Sequence, residues 1–414
     1  MKEAAARRGE DTPEPLFGAG RGRADSSSAV GGRKLMTVES VGGSCYGCGV
    51  CAVVCPVNGI VMKLSESGFW LPSVDVGKCV YCGLCTRVCS FMNDGVSAAG
   101  AVGSASAFWH KDPEKLKLAA SGGAGLAIAE TMMAKGWKTI GAAYDPSSNT
   151  VRHVRISSPE GLAAIANSKY IPSYTADGFD GLFDGGKYVV FGTPCQIDSM
   201  RRLIRMKHAE DNFLLVDFFC HGVPSYLLWF AYLKQKLSGH ETMRDARFRD
   251  KRNGWHTYTM RLETDRRIRY STALGGDPFF RMFLGSRVMN LPCYRCKFRG
   301  ESSAADIRMG DLWGSDYAGV EHGVSGLLGL TARGEEVIRD LAASGELIGV
   351  ERESVMRGQA HRGMPPPACR NRILRELASG WPLWLVVWRQ ELPGRIKGLV
   401  PCKAKEWIKR RLGR

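Results

Sequence analysis

Two runs of four cysteines constrain this chain more than any other feature. Residues 45–56 read CYGCGVCAVVCP and residues 79–90 read CVYCGLCTRVCS, so the spacing C-x2-C-x2-C-x3-C occurs twice. Three closely spaced thiolates bind three corners of a cubane iron–sulfur cluster, and the distant fourth cysteine reaches across to the other cluster. The spacing predicts one cluster on Cys45, Cys48, Cys51 and Cys89, and a second on Cys79, Cys82, Cys85 and Cys55. Gly47, Gly49 and Gly83 let the backbone wrap close to the inorganic core and aim amides at sulfur. Zinc would favour two separated pairs in tetrahedral sites, which does not account for a four-cysteine run used twice.

This unit resembles the bacterial two-cluster ferredoxins. Between the runs, GIVMKLSESGFWLPSVDV reads as a β-hairpin turning at residues 65–68. Ser90 stands where proline usually follows the fourth cysteine, a departure expected to affect a turn and not a ligand.

At 414 residues the chain is too long for one ordinary core, so two or three packed units are expected. The fold class is α+β: a two-cluster ferredoxin domain at 36–100, followed by a mixed α/β domain whose two parts span 101–240 and 241–360. Residues 1–35 mix charges of both signs and lack an apolar stretch. They read as a disordered extension, or as sequence ahead of the true start at Met36, and not as a secretory signal. Fourteen cysteines would suit a disulfide scaffold only in a much shorter chain, so metal and a cytoplasmic location are expected. The apolar run 384–388 falls far short of the roughly 20 residues of a membrane span.

The formal charge of +16 raises the question of nucleic acid. Each cubane held by four thiolates subtracts about two charges, however, and the cations gather at 244–269 and 403–414. No nucleic-acid partner is expected; an anionic cofactor, an acidic protein or a membrane surface fits better. The segment 361–414 reads as a helical, basic tail. Its tryptophans suit a packed terminal helix, with peripheral membrane contact as the alternative.

From about residue 104, strands alternate with helices. Strands are expected at 106–109, WKTIGAAY, VRHVRI, KYVVFG and FLLVDFF, and helices after SGG at 121–123, in QIDSMRRLIRM and in SYLLWFAYLKQKL. Ser157 with Glu160 reads as a capping box for a helix running to Ala166. Cys195 and Cys220 each follow a strand and precede a helix, where open α/β sheets place ligands and where helix amides favour an anion. With Cys293 and Cys296 of LPCYRC they make four thiolates, enough for a third cluster. Other readings stay open here: a buried small hydrophobe for a lone cysteine, and zinc or a redox disulfide for an isolated C-x2-C. Cys369 and Cys402 read as incidental.

GTPCQI at 192–197, DFFCHGVPS at 217–225, RFRDKRNGW at 247–255, LPCYRC at 291–296 and ADIRMGDLWG at 305–314 arrive in one order, with SGG and the SKY of 168–170. Together they resemble the beta-subunit family of coenzyme F420 hydrogenases and dehydrogenases over residues 40–360, a family that also includes pigment reductases. The resemblance implies a cytoplasmic flavoprotein with FAD beside a [4Fe–4S] cluster on Cys195, Cys220, Cys293 and Cys296. Ser121, Gly122 and Gly123 are then candidates for the FAD pyrophosphate or ring, unless the loop is small for packing alone. Ser168, Lys169 and Tyr170 are further FAD candidates, and Lys169 would stabilise the reduced ring unless it is a solvated lysine. Thr193 and His221 flank cluster cysteines, and Lys169 and His221 are the catalytic candidates. No G-x-G-x-x-G lies in a βαβ context, so a Rossmann site is excluded.

The arginines of 247–269 suit steering of the phosphate and polyglutamate of F420, or of an acidic ferredoxin, though a solvated face is the ordinary alternative. Asp306 and Asp311 suit orientation of backbone or of a flavin ribose. The expected activity is electron transfer between a hydride donor or acceptor, F420 or another organic molecule, and ferredoxin or another redox protein. The alternative is a non-catalytic relay subunit. No paired carboxylates, nucleophilic triad or P-loop support hydrolysis or phosphoryl transfer.

Overall fold

The expected hairpin forms between the cysteine runs: β1 (Ile60–Leu64) pairs antiparallel with β2 (Trp70–Val74), Leu64 facing Trp70. A computed structural model of the protein describes residues 36–95 and 103–399. The N-terminal extension, Cys402 and the basic cluster 403–414 lie outside the described residues.

The next six strands are β3 (Ala105–His110), β4 (Lys138–Asp145), β5 (Thr150–Ile156), β6 (Ser173–Tyr174), β7 (Tyr188–Phe191) and β8 (Phe213–Phe218). Then β9 (Met243–Asp250), β10 (Thr259–Thr264) and β11 (Ile268–Thr272) form an antiparallel sheet of their own. Finally β12 (Ile307–Asp311), β13 (Ser325–Gly329) and β14 (Gly345–Gly349) return to the main sheet. That sheet has nine strands in the order β14-β3-β13-β12-β8-β7-β4-β5-β6. It therefore draws on sequence from both sides of residue 240.

The central strands β12, β8, β7 and β4 run parallel, so their carboxyl ends share one edge. YVVF and FLLVD are buried almost throughout, as continuous apolar strands covered on both faces are. The helix Pro194–Met206 joins β7 to β8, and Tyr226–Lys236 leaves the same edge. The terminal helix Leu383–Leu399 packs through Leu383 and Val386, while Trp384 and Trp388 are exposed one turn apart. Among the described residues no helix is long and apolar enough to cross a membrane.

Two local expectations change. The Ser157 capping box does not form; a 3-10 turn at Pro159–Gly161 leads into the short helix Leu162–Ile165. Asn167 stops further winding with φ of 68°, a left-handed conformation that a helix cannot contain. The helix expected in QIDSMRRLIRM also starts earlier. Thr193 is the N-cap of a true capping box with Gln196, and Pro194 and Cys195 already lie in the first turn.

The ferredoxin unit docks on this body through backbone groups. The Tyr226 amide donates to the Gly68 carbonyl at 2.9 Å, and the Ser225 hydroxyl donates to the Ser67 carbonyl at 2.6 Å. The Thr175 hydroxyl donates to the Cys48 carbonyl at 2.7 Å, and the Asn290 amide to the Cys45 carbonyl at 2.8 Å. The hairpin tip thus satisfies the Tyr226 amide at the start of the Tyr226–Lys236 helix, which has no partner within it.

Candidate metal centre

Gly47, Gly49 and Gly83 have φ of 76°, 76° and 73°, the left-handed region where a side chain is strained. They turn the cysteine runs back on themselves. The Gly47 amide donates to Cys45 Sγ at 3.3 Å, and the Gly59 amide to Cys55 Sγ at 3.2 Å. Cys45, Cys48, Cys51 and Cys89 are electrostatic neighbours; burial and the Cys48 sulfur push the Cys45 thiol up to about 12. A separate cavity is lined by Cys55, Cys79, Cys82 and Cys85. The fourth cysteine of each run therefore joins the three of the other run, the exchange that the spacing predicts. Both sets fit a four-thiolate cluster, and no disulfide joins the described cysteines.

The remaining four cysteines of the twelve converge as a third set. Cys220 lies two residues beyond β8, Cys293 in the 3-10 turn Leu291–Arg295, and Cys296 at its end. Burial raises all four thiols, with Cys296 the nearest charge partner of both Cys195 and Cys220, and Cys220 that of Cys293. Gly222 lets the two loops touch: a β-carbon there would lie 3.1 Å from Cys293 Cβ. The two strand-end cysteines are not equivalent, however. Cys195 sits in a helical first turn, whereas Cys220 is six residues ahead of its helix, so the helix dipole acts on Cys195 alone. Among the described residues no three Cys, His, Asp or Glu side chains close around a single ion; a cubane spreads its thiolates wider than a tetrahedral ion does.

Cations surround this set. Arg299 and Arg308 are charge neighbours of both Cys220 and Cys296. Arg308 is fully buried and grips Asp217 with two bonds, Nε to Oδ1 at 2.8 Å and Nη2 to Oδ2 at 2.7 Å. It also donates to the Gly300 and Ser302 carbonyls. Strands β8 and β12 are thereby tied to the loop that follows Cys296. The Thr193 hydroxyl lies 3.2 Å from Cys195 Sγ, beside sulfur as expected. The first set lies alongside: Cys48 is a charge neighbour of Cys195. Tyr46 packs on Phe298 at 5.9 Å, with Cys296 and Cys195 among its charged neighbours.

The expected flavin residues divide. Ser121 Oγ donates to the Val324 carbonyl. A β-carbon on Gly122 would lie 2.1 Å from the Phe108 carbonyl oxygen, so this glycine answers to packing against β3. Gly123, with φ of 87°, starts the helix Ala124–Ala134. Ser168 lies beside Tyr170, to which it is hydrogen-bonded. Lys169 turns back on its own loop. Half-buried, its Nζ donates to the carbonyls of Ala164, Ala166 and Asn167, which have no helical partners, and it faces Asp245 and Arg247. Desolvation lowers its pKa to about 7.

Tyr170 points elsewhere. Its ring stacks on Phe283 at 4.7 Å, and Phe283 meets His221 edge-on at 5.2 Å. His221 Nε2 lies 3.2 Å from the Phe283 carbonyl and 3.0 Å from the Ser286 hydroxyl, and burial lowers its pKa. The Tyr170 hydroxyl accepts from Arg249, which is buried, pairs with Asp311 at 2.8 Å and lies over Tyr258 at 4.0 Å. Trp255 and Trp313 stack beside it at 4.7 Å. Trp255 Nε1 and His256 Nε2 are buried with no hydrogen-bond partner among the described residues. This arginine–aromatic group was missed in the sequence, although the tryptophans of RNGW and DLWG, set in charged runs, were its signal.

Part of the basic stretch is paired within the fold. Arg247 and Arg261 pair with Asp245, Arg261 also with Glu263, and Arg267 and Arg269 with Glu241. Asp306 orients backbone and not a ribose: it accepts from the Leu215 amide at 2.8 Å and pairs with Arg201.

Fold and site define the class, an iron–sulfur electron-transfer protein in which a two-cluster ferredoxin unit is docked on a mixed α/β body. Residues 44–93 match the family model of the 4Fe-4S dicluster domain. Residues 185–353 match the model for the C terminus of the coenzyme F420 hydrogenase/dehydrogenase beta subunit, so the chain carries a domain of that family. Among solved structures it is similar to a chain of the xenon-derivatised F420-reducing [NiFe] hydrogenase complex from Methanosarcina barkeri. That match has 19% identity and a TM-score of 0.45, and covers 68% of this chain and 89% of that one. No curated protein matches the chain.

Proposed function

We propose that this protein is an FAD-dependent iron–sulfur oxidoreductase of the cytoplasm, passing electrons between an organic hydride donor or acceptor and a redox protein such as ferredoxin. The observation that carries this reading is the position of the third cysteine set. It adjoins the first set through Cys195 and Cys48, and it adjoins the Arg249 group through His221, Phe283 and Tyr170. FAD exchanges electron pairs as hydride and also single electrons, which clusters can carry.

In this reading Cys45, Cys48, Cys51 and Cys89 hold cluster one, and Cys55, Cys79, Cys82 and Cys85 hold cluster two. Cys195, Cys220, Cys293 and Cys296 hold cluster three, next to the flavin. The exposed Cys82 makes cluster two the outward one, facing the redox partner. Tyr170, Arg249, Trp255 Nε1 and His256 Nε2 would hold the flavin, and Arg249 would offset negative charge on its reduced ring. His221 braces Phe283, on which the Tyr170 ring stacks. F420 is one substrate within this reading, and other organic hydride carriers are alternatives.

The test is anaerobic purification followed by iron, acid-labile sulfide and acid-released flavin analysis. About twelve irons and one FAD per chain are expected, and the Cys195→Ala variant should retain about eight irons. Clusters without flavin would leave the relay reading. A Cys195→Ala variant with undiminished iron would remove cluster three. Reoxidation of the reduced protein by F420, nicotinamides, quinones and ferredoxin would then identify the substrate.

A further inference from the structure

Ser90, the residue that replaces the usual proline, does more than shape a turn. It is 1% exposed and faces Ser199, which is fully buried in the Pro194–Met206 helix. The Ser90 amide donates to Ser199 Oγ at 3.2 Å, the two hydroxyl oxygens lie 2.6 Å apart, and Ser90 Oγ donates to the Cys195 carbonyl at 2.9 Å. Ser199 Oγ in turn lies 3.2 Å from Cys48 Sγ. A proline at 90 would have neither the amide hydrogen nor the hydroxyl, so it could not make these contacts.

The direction of the last bond follows from proton counting. In the free thiol, Cys48 donates to Ser199 Oγ. As a cluster ligand Cys48 carries no proton, so the only hydrogen available between the two atoms is that of the Ser199 hydroxyl. A helical serine ordinarily spends this hydrogen on the carbonyl four residues earlier. Here that carbonyl belongs to Cys195, and Ser199 Oγ instead contacts the Ser90 amide, the Ser90 hydroxyl and Cys48 sulfur. Ser199 Oγ meanwhile accepts from the Ser90 amide. When the Ser90 hydroxyl turns to donate across the 2.6 Å contact to Ser199 Oγ, the Ser199 hydroxyl hydrogen is left for Cys48 sulfur, the charged acceptor.

We infer that Ser199, positioned by Ser90, donates a hydrogen bond to the Cys48 ligand of cluster one and raises that cluster's reduction potential. The inference rests on the cluster assignment proposed above. A hydrogen bond to ligand sulfur stabilises the more negative, reduced cluster, which is how second-layer donors tune potential. Cluster one is the set adjoining Cys195, so a selective upward shift there favours single electrons moving between the ferredoxin unit and the third cysteine set. Ser199 is a positioning residue in this scheme. It binds neither iron nor substrate.

The test is an EPR-monitored redox titration of full-length protein with all clusters loaded, comparing the native chain with Ser199→Ala, Ser199→Thr and Ser90→Ala. Ser199→Ala should move the midpoint of one cluster to a more negative value and leave the others in place. Ser199→Thr should restore the native midpoint, and Ser90→Ala, which keeps the amide, should shift the same cluster by less than Ser199→Ala. Full iron content with no midpoint moved, or with every midpoint moved equally, would overturn the inference while leaving the cluster assignment intact. Should Ser199→Ala lose iron, Ser90→Ala and Ser199→Thr decide: unchanged midpoints in Ser90→Ala together with a shift in Ser199→Thr overturn it. Native protein lacking two ferredoxin-type EPR signals would overturn the assignment itself.

Discussion

Replacing Arg308 with methionine tests whether one buried cation holds the third cysteine set together. Arg308 and Asp217 are both fully buried and joined by two hydrogen bonds of 2.7–2.8 Å. Removing one partner of such a pair leaves an uncompensated buried charge, at a cost of about 3–5 kcal/mol. The carbonyls of Gly300 and Ser302 also lose a donor, each worth about 1 kcal/mol or more when left dry. The sum, roughly 5 kcal/mol, is a large fraction of an ordinary domain's stability of about 5–15 kcal/mol. Anaerobic urea unfolding followed by far-ultraviolet circular dichroism should show this loss in Arg308→Met, and iron content should fall because Cys296 and the 300–302 loop are no longer tied to β8 and β12. The double variant Asp217→Leu/Arg308→Met removes both charges and should be more stable than Arg308→Met by at least about 1 kcal/mol. An Arg308→Met protein within about 1 kcal/mol of native stability, or a double variant worse than the single, would refute the reasoning.

Gly68→Ala should undock the hairpin, since its β-carbon would lie 2.4 Å from Ser225 Oγ at a φ of 76°; faster hydrogen exchange of the Tyr226 amide is the readout, and unchanged exchange would contradict the contact. His153 is buried between the Ser173 hydroxyl and the Phe191 carbonyl, and desolvation lowers its pKa to about 4 from an ordinary 6.5. The unfolded chain therefore binds the proton first, so stability rises with pH between about 4 and 6.5, by about 3 kcal/mol at 1.36 kcal/mol per unit. His153→Gln should flatten this stretch of the stability–pH curve. Thr193→Ala removes a real capping box and should cost about 1 kcal/mol; Ser157→Ala, whose expected cap is absent, should stay within about 0.5 kcal/mol of native in the same urea assay.

The repeated C-x2-C-x2-C-x3-C spacing made a two-cluster unit legible in the sequence. Ligand spacing within a run of a dozen residues is a local property, and the exchange of Cys55 and Cys89 between the runs follows from it. The strands KYVVFG and FLLVDFF were legible for the same reason, because a short apolar run bounded by turn residues needs no distant partner to be recognised. Tertiary structure decided what depends on contacts between remote segments. It paired Arg247, Arg261, Arg267 and Arg269 of the strand pair with Asp245, Glu263 and Glu241, so these cations have partners within the fold. It sent Lys169 to its own loop carbonyls and Tyr170 toward Phe283, though the two are adjacent in the chain. It also set Ser90 against Ser199, 109 residues away, turning an apparent irregularity into a junction between two units. Ligand spacing is written along the backbone, whereas the partner of a charge or a hydroxyl is whatever the packed chain brings within about 3 Å.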